Sequence, residues 1–185
     1  MKTFFHLVIA ILIVACTPGK HKNKVPVKYT VSGTIFELRQ YCGGARPSEE
    51  ILHPKPLAVH GITLYIRKTL MNSSENQIID SVVSGFDGSF SIQLPAGTYC
   101  FIEAAKKAQM KMPVNDQYNT YDTACYRKNY NTCDFSVDVK SNISKIEIVL
   151  ERRCPWNRPC VQYKGPLPPS APPVNGNGHQ PGHQE

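Results

Sequence analysis

The chain lacks the patterns that would place it in several large classes. Apolar residues do not recur at helical spacing over any long stretch and no segment repeats, which argues against a helical bundle or a repeat array. The longest apolar run, Phe4 to Ala15, is too short to span a bilayer comfortably, so it does not read as a permanent transmembrane helix. There is no Gly-x-Ser-x-Gly elbow and no His-Glu-x-x-His pair, the signatures of two common hydrolase chemistries. Glu49-Glu50 is a carboxylate pair, but adjacent loop residues do not define an acid and a base at working distance. Acidic side chains are few, 14 against 21 Lys and Arg, giving a net charge of +7. Neither an Arg-rich helix nor a zinc finger accompanies that excess, so nucleic acid is not expected as a partner.

What is present starts at the amino terminus. Lys2, the run Phe4–Ala15 and then Cys16 follow the n-region, h-region and cleavage-site order of a secretory signal. Cys16, directly after Ile13-Val14-Ala15, resembles the lipobox of bacterial lipoproteins. The resemblance implies cleavage before Cys16 and a diacylglycerol on its thiol. Without residues 1–15 the chain keeps 20 basic against 14 acidic residues and is long enough for one domain with a core. Lys20, Lys22, Lys24 and Lys28 follow the anchor, where anionic head groups would attract them. The lipoprotein resemblance places the chain in the cell envelope. Thr17 stands where an inner-membrane-retaining aspartate would be, and the next residues are basic, so the expectation is an outer-membrane anchor facing the periplasm.

Cysteine usage agrees with export. Six cysteines besides Cys16 (Cys42, Cys100, Cys125, Cys133, Cys154 and Cys160) suit up to three disulfides in an oxidising compartment. Sequence alone leaves the pairing open. Proximity along the chain favours Cys154 with Cys160 and Cys125 with Cys133, leaving Cys42 for Cys100.

Residues 16–26 are polar with two prolines and read as a tether. Residues 164–185 are dominated by Pro, Gly, Asn, Gln and His. They bury too little to offset their ordering entropy, so they read as a polyproline and disordered tail. Between the ends, residues 27–163, the period is two. Val27 to Ile35, Ile62 to Ile66, Phe90 to Leu94, Phe135 to Val139 and Ile146 to Leu150 alternate apolar with polar. Ile78–Val83 and Tyr99–Ile102 are denser strand-like runs. Seven half-buried strands predict an all-β, antiparallel sandwich. Asp87-Gly88 predicts a hairpin turn between two strands, and Pro95-Ala96-Gly97 a second tight turn. Residues 41–56 and 105–132 are read as long loops, with a short helix or a strand extension equally open around residues 104–110.

The order Val31-Ser32-Gly33-Thr34-Ile35, Gly61-Ile62-Thr63-Leu64-Tyr65-Ile66, Phe86-Asp87-Gly88-Ser89-Phe90 and Leu94-Pro95-Ala96-Gly97-Thr98-Tyr99 resembles the carboxypeptidase regulatory-like domain. That family is a transthyretin-like (prealbumin-like) β-sandwich with Greek-key-type topology, with lipid-anchored members common in the Bacteroidota. The chain departs from the family at Ser84-Gly85, where Thr-Asp is usual. Tyr163-Lys164-Gly165-Pro166 resembles the terminal Tyr-Arg-Gly-Ser of hydroxyisourate hydrolases, but Lys, Pro and the residues beyond it depart from that pattern, and the activity is not carried over.

Several residues invite a functional reading. Tyr118, Tyr121, Tyr126, Arg127 and Tyr130 put aromatic and charged groups on a long loop of a rigid scaffold, a common setting for binding residues. The competing reading is that these tyrosines cover a sandwich edge, anchored by Cys125 and Cys133. His53 and His60, with Cys42 upstream, are the weak alternative for a soft metal. Asp87 has too few oxygen neighbours in sequence for a calcium loop. Thr123 and Ser81 sit in Asp-Ser/Thr-apolar triplets that resemble an O-glycosylation signal of Bacteroidota. The expected function is a non-catalytic envelope lipoprotein, without cofactor, that binds a protein, peptide or glycan partner. A small metal-dependent or hydrolytic enzyme using the His53/His60 loop, and a purely structural envelope protein, are the alternatives.

Overall fold

Two four-stranded sheets pack face to face in the computed structural model, which describes residues 26–43 and 47–166. The first sheet is built on β1 (Lys28–Arg39), whose alternation buries Val31 and Ile35. β5 (Ser89–Pro95) pairs antiparallel with its first half, and the short β2 (Leu57–Ala58) takes over the same edge at Phe36 and Glu37. β9 (Ile143–Arg152) runs along the other edge. The second sheet has the order β4-β3-β6-β8, from β3 (Thr63–Arg67), β4 (Ile78–Val83), β6 (Gly97–Ile102) and β8 (Phe135–Val139), all antiparallel. Val31, Ile35, Phe90, Leu94, Ile148 and Leu150 from one sheet meet Leu64, Ile66, Val82, Tyr99, Phe101 and Val139 from the other. Each large side chain buried there contributes about 1.5–3 kcal/mol. Among the described residues no helix is long and apolar enough to cross a membrane.

All seven segments read as strands form strands, but three sequence expectations give way. β9 lies parallel to β1, so the sandwich is not wholly antiparallel. A parallel neighbour needs a long connection, and the chain between the two strands supplies the whole second sheet. The Asp87-Gly88 turn does not make a hairpin. It closes locally, Gly85 N donating to Ser89 O at 2.8 Å, and then β4 and β5 part into different sheets because Val82 and Phe90 face each other across the core. Gly88 adopts φ +76° and offers its carbonyl to Ile35 N at 2.8 Å. A Cβ there would sit 2.7 Å from the Ile35 carbonyl oxygen, so both conformation and space demand glycine. The third change concerns the long polar loop, which holds β7 (Asn119–Tyr121) and α2 (Thr123–Asn131), preceded by one 3-10 turn at Ala104–Lys106.

That insertion folds over the outer face of the second sheet. Cys100 and Ile102 point away from the core and are nevertheless buried. The cover is polar at its underside. Asn72 donates from Nδ2 to the carbonyls of Lys106 (3.1 Å) and Tyr130 (3.0 Å), and Arg67 donates from Nη2 to that of Lys107 (2.8 Å). The Lys107 ammonium rests 4.2 Å from the centroid of the Tyr65 ring, a cation–π contact.

All six cysteines of the domain are paired, and none of the three bonds follows proximity in sequence. Cys42 joins Cys154, Cys100 joins Cys133, and Cys125 joins Cys160. Strand pairing explains each. β1 and β9 end side by side at Arg39 and Arg152, which delivers Cys42 to Cys154. The Cys100–Ser136 register of β6 and β8 brings Cys133 within reach of Cys100. β7 pairs with β10 (Val161–Tyr163), so Cys160, just before β10, meets Cys125 on the first turn of α2.

Candidate functional site

The aromatic appendage grows out of the end of the sandwich where β1 and β9 finish. α2 begins at Asp122, whose carboxylate accepts from Cys125 N at 3.0 Å and serves as the N-cap. Its apolar face is weak, so its position depends on the two disulfides at Cys125 and Cys133 more than on burial. β7 and β10 form a two-stranded ribbon beside it, extended by Lys164 N donating to Tyr118 O at 2.7 Å. An isolated ribbon of this length is marginal in water, and the Cys125–Cys160 bond fixes it.

On this ribbon Tyr118 is exposed, and its ring centroid lies 6.4 Å from that of Tyr163. From sequence Tyr163 enters only through the tetrapeptide Tyr163-Lys164-Gly165-Pro166 and not as a binding residue; the β7–β10 pairing brings it beside Tyr118. Asp116 shapes the approach. It accepts from the backbone N–H groups of Tyr118 and Asn119, both at 2.8 Å, and from the Asn119 side chain. Those hydrogen bonds, that from the Asn119 side chain foremost, hold the Asp116 carboxyl below its usual range, with the Arg158 charge adding to them. Tyr121 is half-buried in the ribbon, Tyr126 is half-buried on α2, and Arg127 is exposed. Tyr130 is different. It is 8% exposed and its hydroxyl donates to the Ala108 carbonyl, so it locks the cover onto the sheet and is not part of the accessible surface.

The same end of the sandwich carries a charge chain. Glu37 faces inward from β1 with a side chain 8% exposed. Arg152 donates from Nε to Glu37, and from Nη1 and Nη2 to the Glu103 carboxylate at 2.8 and 2.6 Å. Arg39 adds a bond to Glu37 at 2.8 Å. Asp134 then accepts from Glu103 N (2.7 Å) and from Lys106 Nζ (2.6 Å). Burial alone would raise the Glu37 pKa, but the hydrogen bonds and charges of Arg152 and Arg39 outweigh it and hold that carboxyl below its ordinary value. The Glu103 carboxylate, gripping Arg152 at both nitrogens, pushes the guanidinium pKa further up.

These groups bridge the two sheets, because Glu37 and Arg152 belong to the first and Glu103 follows the second. Arg152→Met is expected to cost about 2 kcal/mol at pH 7, since it strands a buried carboxylate while the arginine itself is partly solvated. Glu37 has a depressed folded pKa. Its contribution is therefore complete above its unfolded value, about pH 4.3, and is lost as pH falls through the lower folded value. The gap between wild type and Arg152→Met in chemical denaturation should thus narrow on acidification; a gap that widens would contradict this pairing.

The remaining candidates are dispersed. His53 closes the four-residue α1 (Glu49–Leu52), 3.8 Å from the Glu49 carboxylate and exposed. His60 stacks on Phe86, and Cys42 is consumed by its disulfide. Among the described residues no group of three or more His, Cys, Asp or Glu is placed to hold a metal ion. Thr123 is the exposed first residue of α2. Ser81 lies exposed in β4, its N–H held by the Asp80 carboxylate at 2.8 Å. Cys16, the leader 1–15, most of the tether and residues 167–185 lie outside the described residues.

No protein-family model matches the chain, and no curated protein matches it. Among solved structures the chain is similar to a DUF3823 family protein from Parabacteroides merdae. Sequence identity is 15% and the TM-score 0.33, over 66% of this chain and 45% of that one. It is also similar to the shaft pilin SpaA of Lactobacillus rhamnosus GG, with 9% identity and a TM-score of 0.38 over 68% of this chain and 49% of the pilin. For the N-terminal domain of that pilin the values are 11% and 0.37, over 69% and 95%. The chain thus spans about half the length of the first two proteins. Likeness at this level assigns no activity and no site residue here.

Proposed function

We propose that the chain is a non-catalytic interaction module of the cell envelope, tied to the membrane by a lipid on Cys16 and contacting a protein, peptide or glycan through its aromatic appendage. The observation that carries this reading is the set of three disulfides. They require an oxidising compartment, and two of them hold α2 and the β7–β10 ribbon, whose own burial is too small to keep them in place. Tyr118 and Tyr163 on that ribbon, with Tyr121, Tyr126 and Arg127 beside them, form a rigid, amphipathic surface of the kind used for recognition. The motif order across β1, β3, the 84–90 turn and the β5–β6 connection supports a carboxypeptidase regulatory-like, transthyretin-like scaffold. The leader and lipobox-like residues support an outer-membrane anchor, with Lys20, Lys22, Lys24 and Lys28 next to the head groups.

Hydroxyl-radical footprinting on intact cells and on the purified protein tests the contact surface. Tyr118 and Tyr163 should be labelled several-fold less in cells than in isolation, while Val149, exposed on the outer face of the first sheet, should label equally in both. Equal labelling of the two tyrosines would remove the appendage as a contact site.

A further inference from the structure

β10 ends at Tyr163, and the described residues continue only to Pro166. Those last residues do not leave the appendage. Lys164 N donates to Tyr118 O at 2.7 Å, and the chain then turns back over the ring it has just passed. A Cβ on residue 165 would collide with the hydroxyl end of Tyr163 and lie 2.9 Å from its Cε2, so the backbone runs against that ring at Gly165. The Tyr163 hydroxyl donates to the Pro166 carbonyl at 3.2 Å. A proline carbonyl is thus held by an aromatic hydroxyl at the last described residue. The rings of Tyr163 and Tyr118, with centroids 6.4 Å apart, meet at 44°, so they do not stack face to face and cover each other. Tyr118 remains 43% exposed, which leaves surface for an occupant.

We propose that the residues next in line, Leu167-Pro168-Pro169-Ser170-Ala171-Pro172-Pro173, dock as a polyproline segment on the Tyr118–Tyr163 pair of the same molecule, and that an outside partner displaces them. The segment cannot prolong β10, because its four prolines donate no backbone N–H. It can use its ring faces and its carbonyls, which is how proline-rich segments engage aromatic-lined surfaces. Its reach is sufficient. At about 3.1 Å per residue, three polyproline residues past Pro166 cover about 9 Å, more than the 6.4 Å between the two ring centroids. It carries no charge, so no ionised group loses water on docking. Proline leaves little freedom to lose, and direct continuity with Pro166 makes the local concentration high, an advantage that a second copy lacks. Exchange between docked and open forms keeps the tyrosines available to a partner. The competition rests on the contact surface proposed above, whereas the self-docking needs only the purified chain, so the two fail separately.

NMR of residues 16–185, carrying Cys16→Ser so that no acyl group is present, tests this. Nuclear Overhauser contacts are expected between the Tyr118 ring protons and the proline δ protons of residues 168–173, with a strength independent of protein concentration. In the same chain carrying Pro168→Ser, Pro169→Ser, Pro172→Ser and Pro173→Ser, nitration of Tyr118 by tetranitromethane, read by peptide mass, should rise several-fold. Thermal stability should stay unchanged, because β10 ends before the altered residues. Absence of the contacts, or equal nitration of Tyr118 in the two chains, would overturn the proposal. So would contacts seen only between differently labelled copies, which would make a second molecule the occupant.

Discussion

Alanine in place of Gly33 is expected to destabilise the protein by about 3–4 kcal/mol, although glycine in a strand interior ordinarily costs 0.5–1 kcal/mol relative to alanine, by rough rule. The reason is the join between β1 and β9. Their register steps from Val31–Ile143 to Gly33–Ile146, so β9 carries an extra residue in a bulge that contains Lys145 at φ +60°. The bulge drives the backbone of Ile146 against Gly33. A Cβ on residue 33 would collide with the Ile146 carbonyl, its carbon 2.7 Å and the Ile146 Cα 2.8 Å away. Backbone cannot swing aside as a side chain can, so β9 must retreat from β1 and loosen Ile148 and Leu150 in the core. Urea denaturation of Gly33→Ala decides the point. Unchanged or raised stability would mean that β9 does not approach β1 in this way.

The second large effect belongs to the disulfide with the longest loop. Cys42 and Cys154 are separated by 112 residues, so their bond removes much of the freedom of the unfolded chain. The double variant Cys42→Ser/Cys154→Ser should lose about 4–5 kcal/mol on the loop-entropy scale. Removing Cys125–Cys160, separated by 35 residues, should lower global stability less. It should instead free the β7–β10 ribbon, seen as rapid amide exchange at Thr120 and Gln162 while β1 and β6 stay protected. If Cys42–Cys154 proves dispensable, the pairing of β1 with β9 closes the first sheet without it.

The sandwich was legible in the sequence because most of its strands carry their own period; β4 and β6 show as dense apolar runs, and the two-residue β2 is too short to show. Val31 and Ile35 in β1, or Ile148 and Leu150 in β9, report a buried face whatever lies next to them. Strand partnership was less legible. Asp87-Gly88 is a sound turn signal, yet it does not say whether β4 and β5 stay paired or separate, because that depends on which core Val82 and Phe90 share. Disulfide pairing was illegible for the same reason: Cys154 and Cys160 are close in sequence, but β9 and β10 carry them to different neighbours. α2 was not legible because its nine residues, with two Tyr, two Asn, one Arg and one Lys, have little apolar periodicity. The available signal was an N-capping Asp122 with Tyr126 and Tyr130 one turn apart. Glu37 and Arg152 continue the inward-facing rows of β1 and β9, so counting by twos past Ile35 and Leu150 would have placed both at the end of the core. Phe86 enters the sequence reading only as part of the 86–90 turn motif, since exposure and a ring stacked from a distant loop are properties of the folded chain.

Fold and membrane attachment both depend on an exported, oxidised chain whose cysteines staple neighbouring strands. Non-reducing proteolysis and mass spectrometry of the protein extracted from membranes tests it directly. The predicted result is an acylated amino-terminal peptide beginning at Cys16, with crosslinked peptides joining Cys42 to Cys154, Cys100 to Cys133 and Cys125 to Cys160. A retained leader together with six free thiols, or crosslinks between Cys154 and Cys160 and between Cys125 and Cys133, would contradict it.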